Sequence, residues 1–218
     1  MKDLKFIAQQ LRKPSGDFAS TIAEKMNGGN RPLYDLTFNF LELSDGDTVL
    51  EIGIGNGFHL SELLSLKKDT RVYGIDYSGE MVNQATAKNM VYINSGHLFL
   101  TEGNSNELPY EDNFFDKVFC NMVIYFWDDP AEHLSEIHRV LKPGGIFYTG
   151  MRTKKGMLEL PFTQYGFNLY TVDEWEAIVK KHGFTIGETT QKTDPGFQEI
   201  GKQINLESVC IAAEKMNV

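Results

Sequence analysis

The sequence predicts an α/β fold: a doubly wound, mostly parallel β-sheet preceded by a helical segment. Three observations lead there. From Thr48 onward short apolar runs alternate with stretches of helical period, and strands that alternate with single helices pair in parallel through right-handed crossovers. The first run, Val49-Leu50-Glu51-Ile52, ends in the turn Gly53-Ile54-Gly55-Asn56-Gly57 and leads into a helix carrying Leu60, Leu63 and Leu64. The last two runs follow one another with no helix between them, which predicts a hairpin and an antiparallel final strand.

Residues 1–43 carry no strand pattern. Leu4, Ile7, Ala8 and Leu11 fall at helical spacing, Phe18, Ile22 and Met26 repeat every four residues, and Leu33, Leu36, Thr37 and Phe40 follow Pro32. This predicts three short helices, separated at Pro14-Ser15-Gly16 and at Asn27-Gly28-Gly29-Asn30, that together form a cap. The remainder, 44–218, reads as one domain. Arg71–Ile75 is its second strand, and Ser78 caps a helix with Met81, Val82 and Ala85. His97–Thr101 and Lys117–Asn121 are the third and fourth strands. Asp129-Pro130-Ala131-Glu132 opens a helix that stops at Lys142-Pro143-Gly144-Gly145, and Ile146–Gly150 is the fifth strand. Thr171-Val172-Asp173-Glu174 is a second capping box, and Phe184–Thr189 and Ser208–Ala213 are late strands around a turn near Asp194-Pro195-Gly196.

Composition removes several function classes. Of 218 residues 41% are apolar and 23% charged, an ordinary globular balance. Two cysteines, Cys120 and Cys210, exclude a disulfide framework or a four-thiolate zinc site. The opening residues lack the apolar core of a signal peptide, and no run approaches the roughly 18 apolar residues of a membrane span, so the expectation is a cytoplasmic protein. The net charge is -9, and residues 101–140 alone hold nine acidic side chains against Lys117 and Arg139. Such a surface repels phosphate backbones, which argues against a nucleic-acid partner.

The glycine turn narrows the ligand. Glycine leaves no Cβ between main chain and ligand, and Asp76, 19 residues beyond Gly57 at the end of the next strand, is placed to accept ribose hydroxyls. A dinucleotide fingerprint needs G-x-G-x-x-G, whereas here the third glycine comes one place early and Phe58 stands at the dinucleotide position. No Gly-Lys-Ser/Thr ending of a P-loop is present either. The pattern suits an adenosine cofactor without phosphate.

On VLEIGIGNG at 49–57, VYGIDYS at 72–78, the segment 102–126 and EIHRVLKPGG at 136–145, the sequence resembles the class I S-adenosylmethionine-dependent methyltransferases. The similarity is greatest to the small-molecule branch that includes the quinone-biosynthesis type. The resemblance implies a Rossmann-like seven-stranded sheet with its last strand antiparallel, S-adenosyl-L-methionine as cofactor and S-adenosyl-L-homocysteine as product. It implies that Gly53, Ile54, Gly55 and Gly57 lie under the methionine part and the ribose, and that Glu51 helps hold the amino group. Asp76 is then the ribose carboxylate, Tyr77 and Met81 are adenine walls, and Asn121 and Met122 pass beside the sulfonium. Asn104 and Ser105 match a Gly-Asp-Ala segment whose aspartate reads the adenine amino group. Asparagine is a departure that removes charge assistance.

For a methyl acceptor the reading points to a small, partly apolar molecule. Residues 152–170 are expected as a second lid, and Tyr125, Phe126, Tyr165 and Phe167 as walls of the acceptor pocket. Tyr34 in the cap is a further candidate to reach the cofactor carboxylate. No general base stands out; His133, just beyond the loop after the fourth strand, is the nearest candidate, and Cys120 reads as a buried core thiol. Two alternatives remain at this point: a non-catalytic binder of S-adenosylmethionine or S-adenosylhomocysteine, and a nicotinamide-dependent oxidoreductase, which Phe58 argues against.

Overall fold

The computed structural model describes residues 3–194, 197–199 and 202–216. Helix α1 (Leu4–Arg12) is followed by a 3-10 turn at Gly16–Phe18 and by α2 (Ala19–Phe40). Alternation then begins with β1 (Thr48–Ile52), α3 (Leu60–Ser65), β2 (Arg71–Asp76), α4 (Gly79–Lys88), α5 (Met90–Asn94), β3 (Leu98–Glu102) and β4 (Phe115–Asn121). It continues through α6 (Pro130–Val140), β5 (Leu141–Arg152), α7 (Lys154–Met157), α8 (Val172–Lys181) and β6 (Phe184–Thr193). A small hairpin, β7 (Phe197–Glu199) and β8 (Lys202–Ile204), precedes the last strand, β9 (Glu207–Lys215).

Seven strands form one sheet in the order β3-β2-β1-β4-β5-β9-β6. The first five are parallel, and β9 runs antiparallel to both β5 and β6. The order reverses between β1 and β4, and such a reversal opens a crevice at the carboxyl ends of those strands. One face of the sheet is covered by α6 and α8, whose Leu134, Ile137, Trp175 and Val179 pack with Val118 and Phe147. The other is covered by α2, α3 and α4, whose Tyr34, Phe38, Leu60, Leu63 and Ala85 pack with Val49, Phe119 and Tyr148. Among the described residues no helix is long and apolar enough to cross a membrane.

The cap expected over 1–43 differs in one respect. The second and third predicted helices are a single helix, α2, with Gly28, Gly29 and Pro32 inside it. An interior proline removes the bond to the carbonyl one turn earlier and crowds that turn. The next carbonyl in that turn, that of Gly29, accepts from Arg152 Nη2. The packed second half of α2 then holds the helix continuous through residues that propensity alone would break. Strand β5 also starts five residues earlier than expected, because Phe115 pairs with Leu141 across a bulge before Lys117 meets Ile146. The pair β7–β8 was not predicted, since the turn-rich composition there hid two three-residue strands; Pro195 and Gly196 of the predicted turn lie outside the described residues.

Arg152 closes this region. Its guanidinium pairs with Asp194 at 2.9 Å, the two side chains being 7% and 3% exposed, and Ser208 Oγ donates to the other carboxylate oxygen at 2.6 Å. One cation therefore fastens the end of β5, the loop after β6 and the open turn of α2. Removing one partner of a buried pair leaves an uncompensated charge, at a cost of about 3–5 kcal/mol. Arg152→Ala is expected to lower unfolding stability by that amount in urea titration, and a loss below about 1 kcal/mol would show that the buried pair contributes little to holding these segments together.

Candidate active site

A cleft of about 230 Å³ opens at the carboxyl ends of β1, β2 and β4. Its floor is the glycine turn. Gly55 has φ +54° and open space where a Cβ would stand, so the main chain there is directly accessible from the cleft. Gly53 is required for a different reason: a Cβ would lie 2.3 Å from Val123 Cγ2, so its small size lets the loop after β4 close against the turn. The structure places Gly57 outside the cleft lining. A Cβ there would meet Ala85 of α4 at 2.7 Å, so the small size of Gly57 lets α4 pack against the turn.

Asp76 ties the turn in place. One oxygen accepts from Gly55 N and the other from Ser78 N, each at 2.9 Å. Burial raises its pKa, opposed by those two N–H bonds and by Lys13. Each oxygen keeps a lone pair for a further donor.

Beneath one end of the cleft lies a buried polar group. Glu51, only 2% exposed, accepts from Tyr34 OH at 2.8 Å through Oε1, while Oε2 has no partner. Burial pushes the Glu51 carboxyl up to about 8, against the Tyr34 bond that lowers it. His59 stacks on Tyr34 with ring centroids 3.8 Å apart, and both of its nitrogens are buried without partners. Burial, reinforced by Arg31, holds that imidazole down at about 4. Asn121 accepts from Thr37 Oγ1 at 2.9 Å, so its orientation is fixed and its amide nitrogen is left buried and unpaired. Among the residues expected at the site, Glu51 does not line the cleft directly, whereas Ile54, Asn121 and Met122 do.

Tyr77, Met81, Asn104 and Ser105 also line the cleft, as do His133, which contacts Ser105, and Trp127, on which its ring stacks. Over the cleft runs the stretch that follows α1. Ser78 Oγ donates to the carbonyl of Pro14 at 2.7 Å, Lys13 Nζ sits 4.7 Å from the centre of the Tyr77 ring, and Arg12 pairs with Asp128 at 2.8 Å. Leu11 and Pro14 thereby become cleft residues. Sequence reasoning missed these, together with Met26, Asn27 and Asn30 on α2 and Val123 after β4. Only the helical spacing of Asn27, Asn30 and Tyr34 signals a common face.

The expected acceptor wall needs correction. Phe126 lines the cleft, but Tyr125, Tyr165 and Phe167 do not. Tyr125 is fully buried and its hydroxyl bonds both the N–H and the carbonyl of Arg152. Phe167 packs on Tyr125, Phe126 and Phe162, and the neighbouring Asn168 is stitched to the carbonyls of Tyr125 and Trp127. The aromatic load of 152–170 is spent on its own packing, and Tyr165 faces outward, 40% exposed. Cys120 is buried with its thiol pushed well above its ordinary range.

A family model described as a methyltransferase domain matches residues 50–149. Two curated proteins of Bacillus subtilis (strain 168), both named as methyltransferases without an acceptor, are similar. YdaC is 32% identical over 120 residues, 55% of this chain and 64% of YdaC. YrhH is 32% identical over 124 residues, 57% of this chain and 68% of YrhH. The match thus spans just under two thirds of the first relative and just over two thirds of the second. A solved SAM-dependent methyltransferase from Aquifex aeolicus superposes with TM-score 0.69 at 23% identity, covering 99% of this chain and 100% of that one, a likeness of fold.

The Glu51 carboxyl makes a pH prediction for the unliganded protein. Its folded value of about 8 lies above the ordinary value near 4.3, so the native state holds this proton more tightly. The associated stability is complete below about pH 4.3 and is lost as pH rises through 8. Urea midpoints of the native protein should fall between pH 5 and pH 8 relative to those of Glu51→Gln. A native-minus-variant difference that stays constant over that window would contradict the buried, protonated Glu51.

Proposed function

The chain belongs to the class I S-adenosylmethionine-dependent methyltransferase family, and from that premise we propose that it transfers a methyl group to a small, partly apolar acceptor held in this cleft. One observation carries the reading. Glu51 Oε2, Asn121 Nδ2 and the two nitrogens of His59 form a buried set without protein partners beneath the cleft. Leaving such atoms unpaired costs about 1–3 kcal/mol each, and an acceptor, a donor and a neutral imidazole together complement an amino-acid ammonium and carboxylate. The residues present therefore fit the methionine end of the proposed cofactor.

In this reading Glu51 holds the ammonium, and Gly53, Ile54 and Gly55 give the main-chain bed. Asp76 takes the ribose hydroxyls on its remaining lone pairs. Tyr77 and Met81 flank the adenine beside Asn104 and Ser105, and Asn121 and Met122 border the reacting centre. When bound, the cofactor supplies an electrophilic methyl group on a sulfonium. The protein's part is alignment and exclusion of water. Orientation of a near-attack pair lowers a barrier by about 7–11 kcal/mol, so a wall that fixes the acceptor matters more than a strong base.

That wall is Met26, Met122, Val123 and Phe126, with the Asn27 and Asn30 amides on the α2 side. Residues of the 1–43 segment act as the lid in this proposal. The stretch Leu11–Pro14, fastened to Ser78, Tyr77 and Asp128, closes the adenine end, and α2 closes the acceptor end. The segment 152–170 supports Phe126 from behind.

Two measurements test this. Asp76→Ala should weaken S-adenosylhomocysteine binding by about 1–3 kcal/mol in calorimetry, through lost hydrogen bonds, and unchanged affinity rejects the ribose assignment. With methyl-labelled S-adenosylmethionine and a deproteinised cell extract, label should move to a small-molecule fraction. Binding without any such transfer would make the protein a cofactor-binding module and not an enzyme.

A further inference from the structure

We propose that His133, positioned by Ser105, contacts the edge of the adenine base of the bound cofactor and supplies base recognition that a carboxylate at position 104 would otherwise give. The proposal rests on the reading that the cleft takes S-adenosylmethionine.

Two contacts fix the imidazole. Ser105 Oγ lies 2.7 Å from Nδ1, and the ring stacks on Trp127 with centroids 4.6 Å apart and planes 6° from parallel. The backbone position is set as firmly, since His133 sits in the first turn of α6, behind the Asp129 cap and Pro130 at the start of the helix. Among the described residues Nε2 has no protein partner, yet it is not one of the sealed, unpartnered atoms. His133 is 6% exposed overall and lines the cleft, so the open nitrogen faces the cleft.

Ser105, bonded to His133, follows Asn104 in the chain, and both line the cleft together with Tyr77 and Met81, the residues that would flank and read an adenine. Asn104 offers a neutral amide, which bonds an amino group without charge assistance. Burial holds the His133 imidazole at about 4, although Glu132, Asp128 and Asp129 oppose the shift, so the ring is neutral at pH 7. A neutral imidazole presents either a donor or an acceptor at Nε2, and a serine hydroxyl can accept from or donate to Nδ1 to match. Adenine carries an amino donor and a ring-nitrogen acceptor side by side, so either tautomer finds a partner there.

The test is calorimetric binding of S-adenosylhomocysteine and of its 1-deazapurine analogue, in which hydrogen replaces the adenine amino group and C–H replaces the adjacent ring nitrogen, so that neither tautomer of His133 finds a partner on that edge. The native protein should prefer the adenine ligand by about tenfold, the scale of one or two neutral hydrogen bonds. His133→Ala should weaken S-adenosylhomocysteine binding about five- to tenfold and shrink the preference to about twofold. Ser105→Ala, which keeps the Trp127 stack, should shrink it in the same direction, and it decides the matter if His133→Ala does not fold. A preference that survives in the variants, whether affinity is lost equally for both ligands or not at all, makes His133 a packing residue and overturns the proposal. Native protein that binds neither ligand instead removes the cofactor reading beneath it.

Discussion

The arrangement of the cleft depends on one carboxylate. Asp76 ends β2 and uses both oxygens on main-chain N–H groups, one in the glycine turn after β1 and one at the start of α4. Those bonds hold two loops of separate origin at a fixed distance. The next two residues extend the tie: Ser78 caps α4 and donates to Pro14, and Tyr77 lies under Lys13. Floor, side wall and roof of the cleft are thus fastened within three consecutive positions. A ligand that bonds Asp76 reinforces an existing clamp and pays little reorganisation.

The buried polar groups make sense on the same terms. A chain optimised for stability alone would not seal Glu51 Oε2, Asn121 Nδ2 and both His59 nitrogens away from partners. Such violations gather where function requires them. Their geometry is over-determined: Tyr34 fixes Glu51 and stacks on His59, and Thr37 fixes Asn121. Tyr34 and Thr37 both come from α2, so the helix that covers the sheet also orients the polar set. Both depend on α2 running unbroken through Gly28, Gly29 and Pro32, the stretch where Arg152 bonds the Gly29 carbonyl.

Much of the sheet could be read from the residues, because buried parallel strands ending in glycine or a carboxylate leave a dense local signal. The strand β1, its turn, Asp76 and the caps of α4, α6 and α8 all rest on neighbours within a few positions. The parts that escaped depend on contacts distant in sequence. Nothing near Gly29 announces that Arg152, 123 residues away, will take its carbonyl. Phe167 and Phe126 look alike in the sequence as aromatic residues, and only packing decides that Phe126 lines the cleft while Phe167 packs behind it. The small size of Gly57 likewise serves a distant contact, that with Ala85 of α4. His133 drew attention as a candidate base from its place in the chain alone, and only the structure shows its stack on Trp127 and its bond to Ser105.

On the proposed reading this cleft holds a phosphate-free adenosine thioether. Thermal unfolding of the native protein, scanned against ligand concentration, tests it most directly, because a ligand bound only by the folded state raises stability as RT ln(1 + [L]/Kd). S-adenosylhomocysteine should raise the midpoint progressively, while NAD and NADP leave it unchanged. A midpoint raised by either dinucleotide and indifferent to S-adenosylhomocysteine would mean that the cleft is a dinucleotide site.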